Sequence, residues 1–300
     1  MAHKQTQVIL VGGFLGAGKT TLLLAAARRL AAQGRRVGLV TNDQGGGLVD
    51  SALAAHYQTP VAEVAGGCFC CRFPDLLTAF AQLQAQVQPE VILAEPVGSC
   101  TDLAATVLLP LARYYGDRFT VAPLTVLVDG SRETARFSAR VAYLYYQQLA
   151  EAELLALNKL DLLSPEQQAK AADELRAAYP DAQVLGLAAG SGVGVDEWLA
   201  AVMGQESRLG RVLDIDYGLY AEAEAGLAWL NAKAVARAGR PFAADALAAR
   251  LLQELARRLA AQGAAIAHLK LALLAPGVML KGSLTEAGRP VYWDEWRPDA

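Results

Sequence analysis

The sequence lacks any long apolar run. No apolar segment in its 300 residues approaches the ~18 residues that a membrane-spanning helix needs, so we expect no membrane partner. The net charge of −3 gives no general attraction to nucleic acid. The polar residues before the first apolar run do not resemble a signal peptide, and we expect a cytoplasmic protein. With 54% hydrophobic and 19% charged residues, the chain is typical of a globular protein with a large core.

Cysteine is scarce but clustered. Three of the four cysteines, Cys68, Cys70 and Cys71, lie within four residues, directly after Gly66 and Gly67. This spacing does not resemble a disulfide framework, and in a reducing compartment it favours metal or redox chemistry. Cys68 and Cys70 can face the same side of an extended segment, and Cys71 can join them if the chain turns. Buried apolar cysteines and a redox pair remain alternatives, although packing alone explains three neighbouring cysteines poorly.

A thiolate trio suits a particular class of metal. Three thiolates leave one position of a tetrahedral site open. Sulfur ligands suit Zn²⁺ or Cu⁺ and can also take Co²⁺ or Ni²⁺. Cys100 is a candidate for the fourth thiolate if its loop approaches the trio, and a small buried residue at a helix start is the equal alternative.

Residues 13–20 read GFLGAGKT and fit the phosphate-loop pattern G-x-x-x-x-G-K-[ST]. An apolar run at 8–11 precedes the loop, and a helical segment at 21–33 follows it. In this context backbone N–H groups at a helix N-terminus bind phosphate oxygens, Lys19 reaches the terminal phosphates and Thr20 can ligate Mg²⁺. The candidate phosphate-binding residues are Gly13, Gly16, Ala17, Gly18, Lys19, Thr20 and Thr21.

Apolar runs alternate with helical segments up to about residue 204, which predicts a mainly parallel sheet covered by helices on both faces, the α/β architecture of a P-loop NTPase. The predicted strands are 8–11, 37–41, 91–94, 124–128, 154–157 and 184–188. The predicted helices are near 20–33, 75–87, 101–115, 141–152, 165–178 and 195–203.

The pattern changes after residues 205–210, which read as a linker between domain 1–204 and domain 211–300. The second domain is predicted to be small and α+β, with an antiparallel sheet. Its predicted elements are a strand at 226–237, a helix at 243–262 and strands at 266–274, 278–282 and 291–296.

Two predicted strands end in acidic residues. Asp43 follows the second strand and precedes three glycines, which suits a mobile loop that holds Mg²⁺ directly or through water. Glu95 ends the strand 91–94, where a carboxylate faces the phosphate loop and can position Mg²⁺ or water. The Gly98 N–H can meet the terminal phosphate. For both acids an ordinary polar turn is the alternative.

Residues 158–161 read NKLD at the end of another predicted strand. The Asp161 carboxylate can accept both N–H groups of a guanine edge, which adenine does not offer. Asn158 can contact the base or brace the loop, and the Lys159 stem can lie over the ring. A Gly-rich loop at 188–194, which includes Ala189, is a weaker candidate for closing over the base.

These motifs together resemble the CobW/HypB/UreG group of P-loop GTPases. The resemblance spans residues 7–204 and rests on GGFLGAGKTT at 12–21, C-x-C-C at 68–71, E-x-x-G at 95–98 and NKLD at 158–161; C-x-C-C favours the CobW-like branch. It implies GTP hydrolysis coupled to transition-metal binding, with the metal passed to a client metalloprotein or a cofactor pathway.

The chain also departs from that branch at three points. Its second-strand loop carries Asp43 as the only acid, where an acidic run is usual, and Ala188-Ala189 replaces Ser-Ala in the last base loop. With only three histidines it has no His-rich tract, which leaves the cysteines as the main candidates for binding Zn²⁺, Co²⁺ or Ni²⁺.

We therefore expect a GTPase that acts as a metallochaperone, with GTP or GDP and Mg²⁺ as its ligands. Lys19, Asp43 and Glu95 are the expected catalytic residues. A homodimer is the candidate assembly. The alternatives are an ATP-dependent small-molecule kinase, against which the NKLD motif argues, and a nucleotide-binding scaffold without metal transfer.

Overall fold

The computed structural model describes residues 5–43, 60–65, 67–209, 212–240, 242–275 and 278–296. The chain forms two compact units, Met1–Ala228 and Trp229–Ala300. The domain boundary expected at residues 205–210 stays a prediction. Among the helices in the described ranges, none is both long enough and apolar enough to cross a bilayer.

The first unit is built on one sheet that has eight strands within the described residues. The strands are β1 (Thr6–Gly13), β2 (Val37–Asp43), β3 (Val61–Ala65), β4 (Val91–Glu95), β5 (Phe119–Val121), β6 (Thr125–Asp129), β7 (Leu154–Asn158) and β8 (Gln183–Gly186). Their order is β3-β2-β4-β1-β6-β7-β8, and β5 pairs with β1. All of these pairings are parallel.

Helices pack against this sheet and bury it. They are α1 (Lys19–Ala32), α2 (Phe73–Val87), α3 (Leu109–Tyr115), α4 (Ala139–Glu151), α5 (Pro165–Ala178) and α6 (Val195–Met203), and a further helix, α7 (Tyr217–Ala225), packs against α4. A π-helical turn, Ala104–Leu108, leads into α3. Every residue of β4, β6 and β7 is buried, as in a parallel sheet covered on both faces. The predicted fold class is therefore confirmed.

The second unit combines one helix with a small antiparallel sheet. Its elements are α8 (Ala244–Ala261), β9 (Leu269–Ala275), β10 (Val278–Leu284) and β11 (Tyr292–Trp296). The strand order is β11-β10-β9, and α8 packs against β9 and β10. The expected small α+β arrangement is thus present.

One predicted strand is wrong, and three elements were not predicted. Residues 226–237 form no strand, and most of their apolar side chains are exposed, with Leu230 at 90% and Val235 at 82%. An alternating pattern becomes a strand only where a sheet edge is available to pair with it. The missed elements are β3, which carries the exposed Glu63, the three-residue β5, and α7, which the Asp216 side chain caps by accepting from two backbone N–H groups.

A buried carboxyl group lies where α4 ends. Glu151 Oε2 accepts a hydrogen bond from the Ala104 N–H at 3.1 Å, at the start of the π-helical turn. Burial raises the pKa of Glu151 from 4.5 to about 8, even though this backbone N–H favours the charged form. Folding is therefore most favourable when this carboxyl group is protonated.

We expect the free energy of unfolding to fall as the pH rises from the ordinary pKa of 4.5 towards the folded-state pKa of about 8, since in this range the unfolded carboxyl group has already lost its proton and the folded one still holds it. Glu151→Gln is nearly isosteric and cannot ionise. Relative to this variant, the wild type should lose up to about 4 kcal/mol of stability between about pH 5 and about pH 9. Urea unfolding of both proteins across this range measures the difference, and parallel pH profiles would contradict the assignment.

Candidate functional site

The sheet brings the carboxyl ends of distant strands to one edge. Glu95 on β4 lies opposite Thr41 on β2, and Asn158 on β7 lies opposite Asp129 on β6. Gly13 on β1 lies between them, opposite Leu127. In parallel sheets ligands bind at this edge, outside the carboxyl ends of the strands.

The loop between β1 and α1 has a backbone that requires glycine. Gly13, Gly16 and Gly18 all have positive φ, at 129°, 80° and 101°. A Cβ atom at Gly13 would lie 2.6 Å from the Leu127 carbonyl oxygen, so no larger residue fits there. Gly18 immediately precedes α1, which places the helix N-terminus at the loop as phosphate binding requires.

Lys19 and Thr20 both point into the buried part of this loop. The Lys19 Nζ donates to the carbonyl oxygens of Gly13 at 2.8 Å and Phe14 at 3.5 Å. The Thr20 hydroxyl donates to Glu95, 3.0 Å from Oε1 and 3.1 Å from Oε2. The structure thus brings together Thr20 and Glu95, a pair of oxygen donors of the kind that Mg²⁺ prefers. Thr21 follows in the first turn of α1 and is half-buried.

The phosphate loop rests on an aromatic and cationic cluster that the sequence analysis missed. The Phe14 ring lies 5.3 Å from Phe137 and 6.1 Å from Tyr145, measured between centroids. The Arg132 guanidinium lies over the Phe14 ring at 5.4 Å and donates to the Leu15 carbonyl oxygen at 2.8 Å. No local pattern around Arg132 indicates this contact, which depends on the β6–α4 connection passing beside the loop.

Gly98 packs directly on the phosphate loop. A Cβ atom at this position would lie 2.9 Å from the Leu15 nitrogen and 3.0 Å from the Leu15 Cα. The absence of a side chain therefore allows the turn after β4 to contact the loop backbone.

Asn158 braces the other side of the loop. Its Nδ2 donates to the Ala17 carbonyl oxygen at 2.7 Å, and its Oδ1 accepts from the Ala189 N–H at 2.9 Å. Two roles were considered for Asn158, contact with the base and bracing of the loop. These two hydrogen bonds are those of loop bracing. Asn158 therefore links the 188–194 loop to the phosphate loop.

Lys159 and Asp161 complete the N-K-x-D segment. The Lys159 Nζ forms an ion pair with Asp129 Oδ2 at 2.7 Å, while its backbone adopts a left-handed conformation with φ of 64°. Asp161 is exposed in a short 3₁₀ turn, Leu160–Leu162. Asp129 was overlooked, although it ends a predicted strand in the same way as Glu95.

The cysteine segment is a tight turn rather than the extended stretch that the spacing suggested. The Cys68 carbonyl oxygen accepts from the N–H groups of Cys71 at 3.1 Å and Arg72 at 2.9 Å. This turn places the sulfur atoms of Cys68, Cys70 and Cys71 within 4.8 Å of one another. Cys68 is buried, Cys70 is half-buried and Cys71 is exposed, so the cluster is open to solvent on one side.

Cys100 joins this cluster from the turn after β4. Its Sγ atom lies 3.3 Å from the Cys70 Sγ, and the residue is fully buried. Hydrogen bonds from the Cys100 and Cys70 thiols lower the pKa of Cys68 to about 2. Hydrogen bonding to Cys68, together with burial, raises the pKa of Cys71 and Cys100. One thiolate is thus favoured, and a bound cation would favour the loss of the remaining protons.

Asn42 connects the cysteine turn to the turn that contains Gly98. Its Nδ2 donates to the carbonyl oxygens of Val64 at 2.8 Å and Gly67 at 2.6 Å, and its Oδ1 accepts from the Val97 N–H at 3.3 Å. The next residue, Asp43, ends β2. Its side chain and residues 44–59 lie outside the described part of the chain, so its role as a Mg²⁺ ligand stays a prediction.

Comparison with known proteins adds independent information. The family model for the CobW/HypB/UreG nucleotide-binding domain matches residues 7–186. The zinc chaperone CobW of Sinorhizobium sp. is 29% identical, covering 51% of this chain and 50% of its own length. The zinc chaperone YeiR of Escherichia coli K12 is also 29% identical, with shares of 54% and 49%. The chain therefore spans about half the length of these curated relatives.

A solved structure supports the fold assignment. HypB from Helicobacter pylori, in complex with nickel, has a TM-score of 0.50 and 12% identity, covering 67% of this chain and 87% of the other. At this identity the likeness shows a shared fold only. The family match, in contrast, covers more than half of the chain and includes its phosphate loop, E-x-x-G turn and strand β7. The chain therefore belongs to the CobW/HypB/UreG family through its nucleotide-binding domain.

Proposed function

We propose that this protein is a GTP-hydrolysing metallochaperone, in which the nucleotide state controls the binding and release of a transition metal, with Zn²⁺ preferred over Co²⁺ or Ni²⁺. The metal is the cargo, and a metalloprotein or a metal-cofactor assembly protein is the client that receives it. The names of the curated relatives, both zinc chaperones, support this choice of metal.

The observation that carries the proposal is the connection made by Asn42. One amide side chain contacts the Gly67 carbonyl oxygen, next to the cysteine turn, and the Val97 N–H, next to Gly98. Gly98 in turn packs on the backbone of Leu15 in the phosphate loop. A displacement of the Gly98 turn by a terminal phosphate would therefore reach the cysteine turn through direct contacts.

Each nucleotide-binding residue has a role that its position supports. The N–H groups of residues 13–21 and the Lys19 ammonium neutralise the phosphate charge, and Asp161 accepts the guanine N–H groups. Asn158 holds the base loop at Ala189, and Lys159, fixed by Asp129, supports the base. Glu95 positions the attacking water or a magnesium-bound water, with Asp43 as a second acid.

The buried oxygen pair of Thr20 and Glu95 fits Mg²⁺, since both atoms are hard oxygen donors beside the phosphate loop. When bound, Mg²⁺ neutralises charge on the terminal phosphates. The protein itself keeps these two residues and Lys19 buried beside the phosphate loop.

Specificity for guanine is tested at Asp161. Asp161→Asn replaces one acceptor by a donor, so the variant should lose at least about tenfold in affinity for GTP and gain affinity for XTP, whose 2-carbonyl matches an amide donor. Displacement of a fluorescent GDP analogue by GTP, XTP and ATP measures both changes.

Asp173→Asn makes the same chemical change on α5, where Asp173 pairs with Arg176, and should leave the preference for GTP intact. If ATP displaced the analogue from the wild type as well as GTP does, the guanine assignment would be wrong and a kinase would be favoured.

Metal binding is tested at the exposed cysteine. Cys71→Ser removes one thiolate at the solvent side of the cluster, so Zn²⁺ affinity, measured by competition with a chromogenic chelator, should fall at least about tenfold. His268→Ala removes a metal-binding residue type in the second unit and should have no effect. Equal affinity of wild type and Cys71→Ser would direct attention to carboxylate or histidine ligands.

Coupling is tested by measuring Zn²⁺ affinity with a non-hydrolysable GTP analogue and with GDP. We expect different affinities in the wild type and a smaller difference in Asn42→Ala, because that variant lacks the amide that joins the two turns. Asn231→Ala changes an exposed asparagine and should behave as wild type. Identical affinities with both nucleotides in the wild type would rule out nucleotide-controlled transfer.

A further inference from the structure

The thiol cluster contains a fourth sulfur atom that comes from another part of the chain. Cys70 Sγ lies 3.8 Å from Cys71 Sγ and 3.3 Å from Cys100 Sγ. Four sulfurs bound tetrahedrally at about 2.3 Å from a metal lie about 3.8 Å from one another. Two separations, 3.8 Å between Cys70 and Cys71 and 3.3 Å between Cys70 and Cys100, are close to that value, and the sulfurs of Cys68, Cys70 and Cys71 all lie within 4.8 Å of one another.

We propose that Cys100 is the fourth thiolate ligand, so that Cys68, Cys70, Cys71 and Cys100 form a closed four-sulfur site for a tetrahedral divalent cation such as Zn²⁺. This inference rests on the metal-binding part of the proposed function. It goes further by naming the complete ligand set and by assigning one ligand to the turn that follows Glu95.

The backbone around Cys100 is held in a defined position. The buried Gln148 side chain on α4 donates from Nε2 to the carbonyl oxygens of both Gly98 and Cys100, each at 2.9 Å. The Cys100 N–H donates to the Val97 carbonyl oxygen at 2.9 Å. Gln148 therefore holds two residues in one turn: Gly98, which packs on the phosphate loop, and Cys100, which contacts Cys70.

Buried polar groups in this turn, and on the Gln148 side chain that holds it, lack hydrogen-bond partners within the described part of the structure. Among the residues that the structure describes, Ser99 Oγ, Thr101 Oγ1 and Gln148 Oε1 form no hydrogen bond although they are buried. Such groups destabilise the arrangement they occupy, and they gain partners if the turn moves. A turn of this kind can withdraw Cys100 from the metal when the contact with Gly98 changes.

This arrangement gives the fourth ligand a function that the other three do not have. Cys68, Cys70 and Cys71 move together because they share one hydrogen-bonded turn, whereas Cys100 moves with Gly98. With Cys100 bound, the coordination is complete and the metal is retained. Without it, one position opens to a client's ligand, as transfer by ligand exchange requires.

Cobalt serves as the spectroscopic probe. Metal-free, reduced protein that holds a non-hydrolysable GTP analogue receives one equivalent of Co²⁺, and the sulfur-to-cobalt charge-transfer absorbance is recorded. Cys100→Ser should lose about one quarter of this absorbance, as expected for three thiolates instead of four, and should release cobalt faster to a chelator. Asn231→Ala, which changes an exposed residue outside the turn, should keep the wild-type spectrum.

A second measurement avoids variants. X-ray absorption at the zinc edge of the wild-type protein should show four sulfur neighbours at about 2.3 Å. Three sulfurs with one nitrogen or oxygen, or an unchanged cobalt spectrum in Cys100→Ser, would overturn the assignment of Cys100 while leaving the three-thiolate chaperone intact. A wild-type protein that shows no sulfur-to-metal absorbance at all would overturn the metal-binding function itself.

Discussion

The parallel register of the central sheet is the constraint on which the candidate site depends. Glu95 and Asn158 are far apart in sequence, yet each ends a strand, and the strands end at the same edge. The glycines of the phosphate loop then let backbone approach backbone. Gly13 contacts β6 and Gly98 contacts Leu15 at distances that exclude a Cβ atom. A side chain at either position would push the neighbouring backbone away from the phosphate loop and disrupt the site.

Two turns of the candidate site are joined by hydrogen bonds through a single side chain. The cysteine turn and the turn after Glu95 share the Asn42 amide, and the second turn is also held by Gln148. Each of these amides is at least half-buried and bonds to backbone groups of more than one segment. The proposed nucleotide and metal sites therefore lie on neighbouring segments that these two amides connect.

Much of the fold follows from local patterns. Continuous apolar runs with short polar ends predict buried parallel strands, and six of the eight strands in the first unit were identified in this way. The exceptions have physical causes. β5 is too short to show a pattern, β3 carries an exposed Glu63, and residues 226–237 alternate partly although no strand in the described part of the chain pairs with them. Arg132 was missed because its contact with the phosphate loop joins residues more than a hundred positions apart in the sequence.

The sequence by itself determined the chemical groups and their local order: a glycine-rich loop before a helix, an acid at the end of β4, an N-K-x-D segment and a cluster of three cysteines. These signals are local because the chemistry requires particular residues at fixed spacing. Only the tertiary structure decided which groups meet. Cys100 contacts Cys70, Asn42 joins two turns and Asn158 braces the phosphate loop. Long-range packing brings these segments together, and a local sequence pattern does not indicate which distant segments will be in contact.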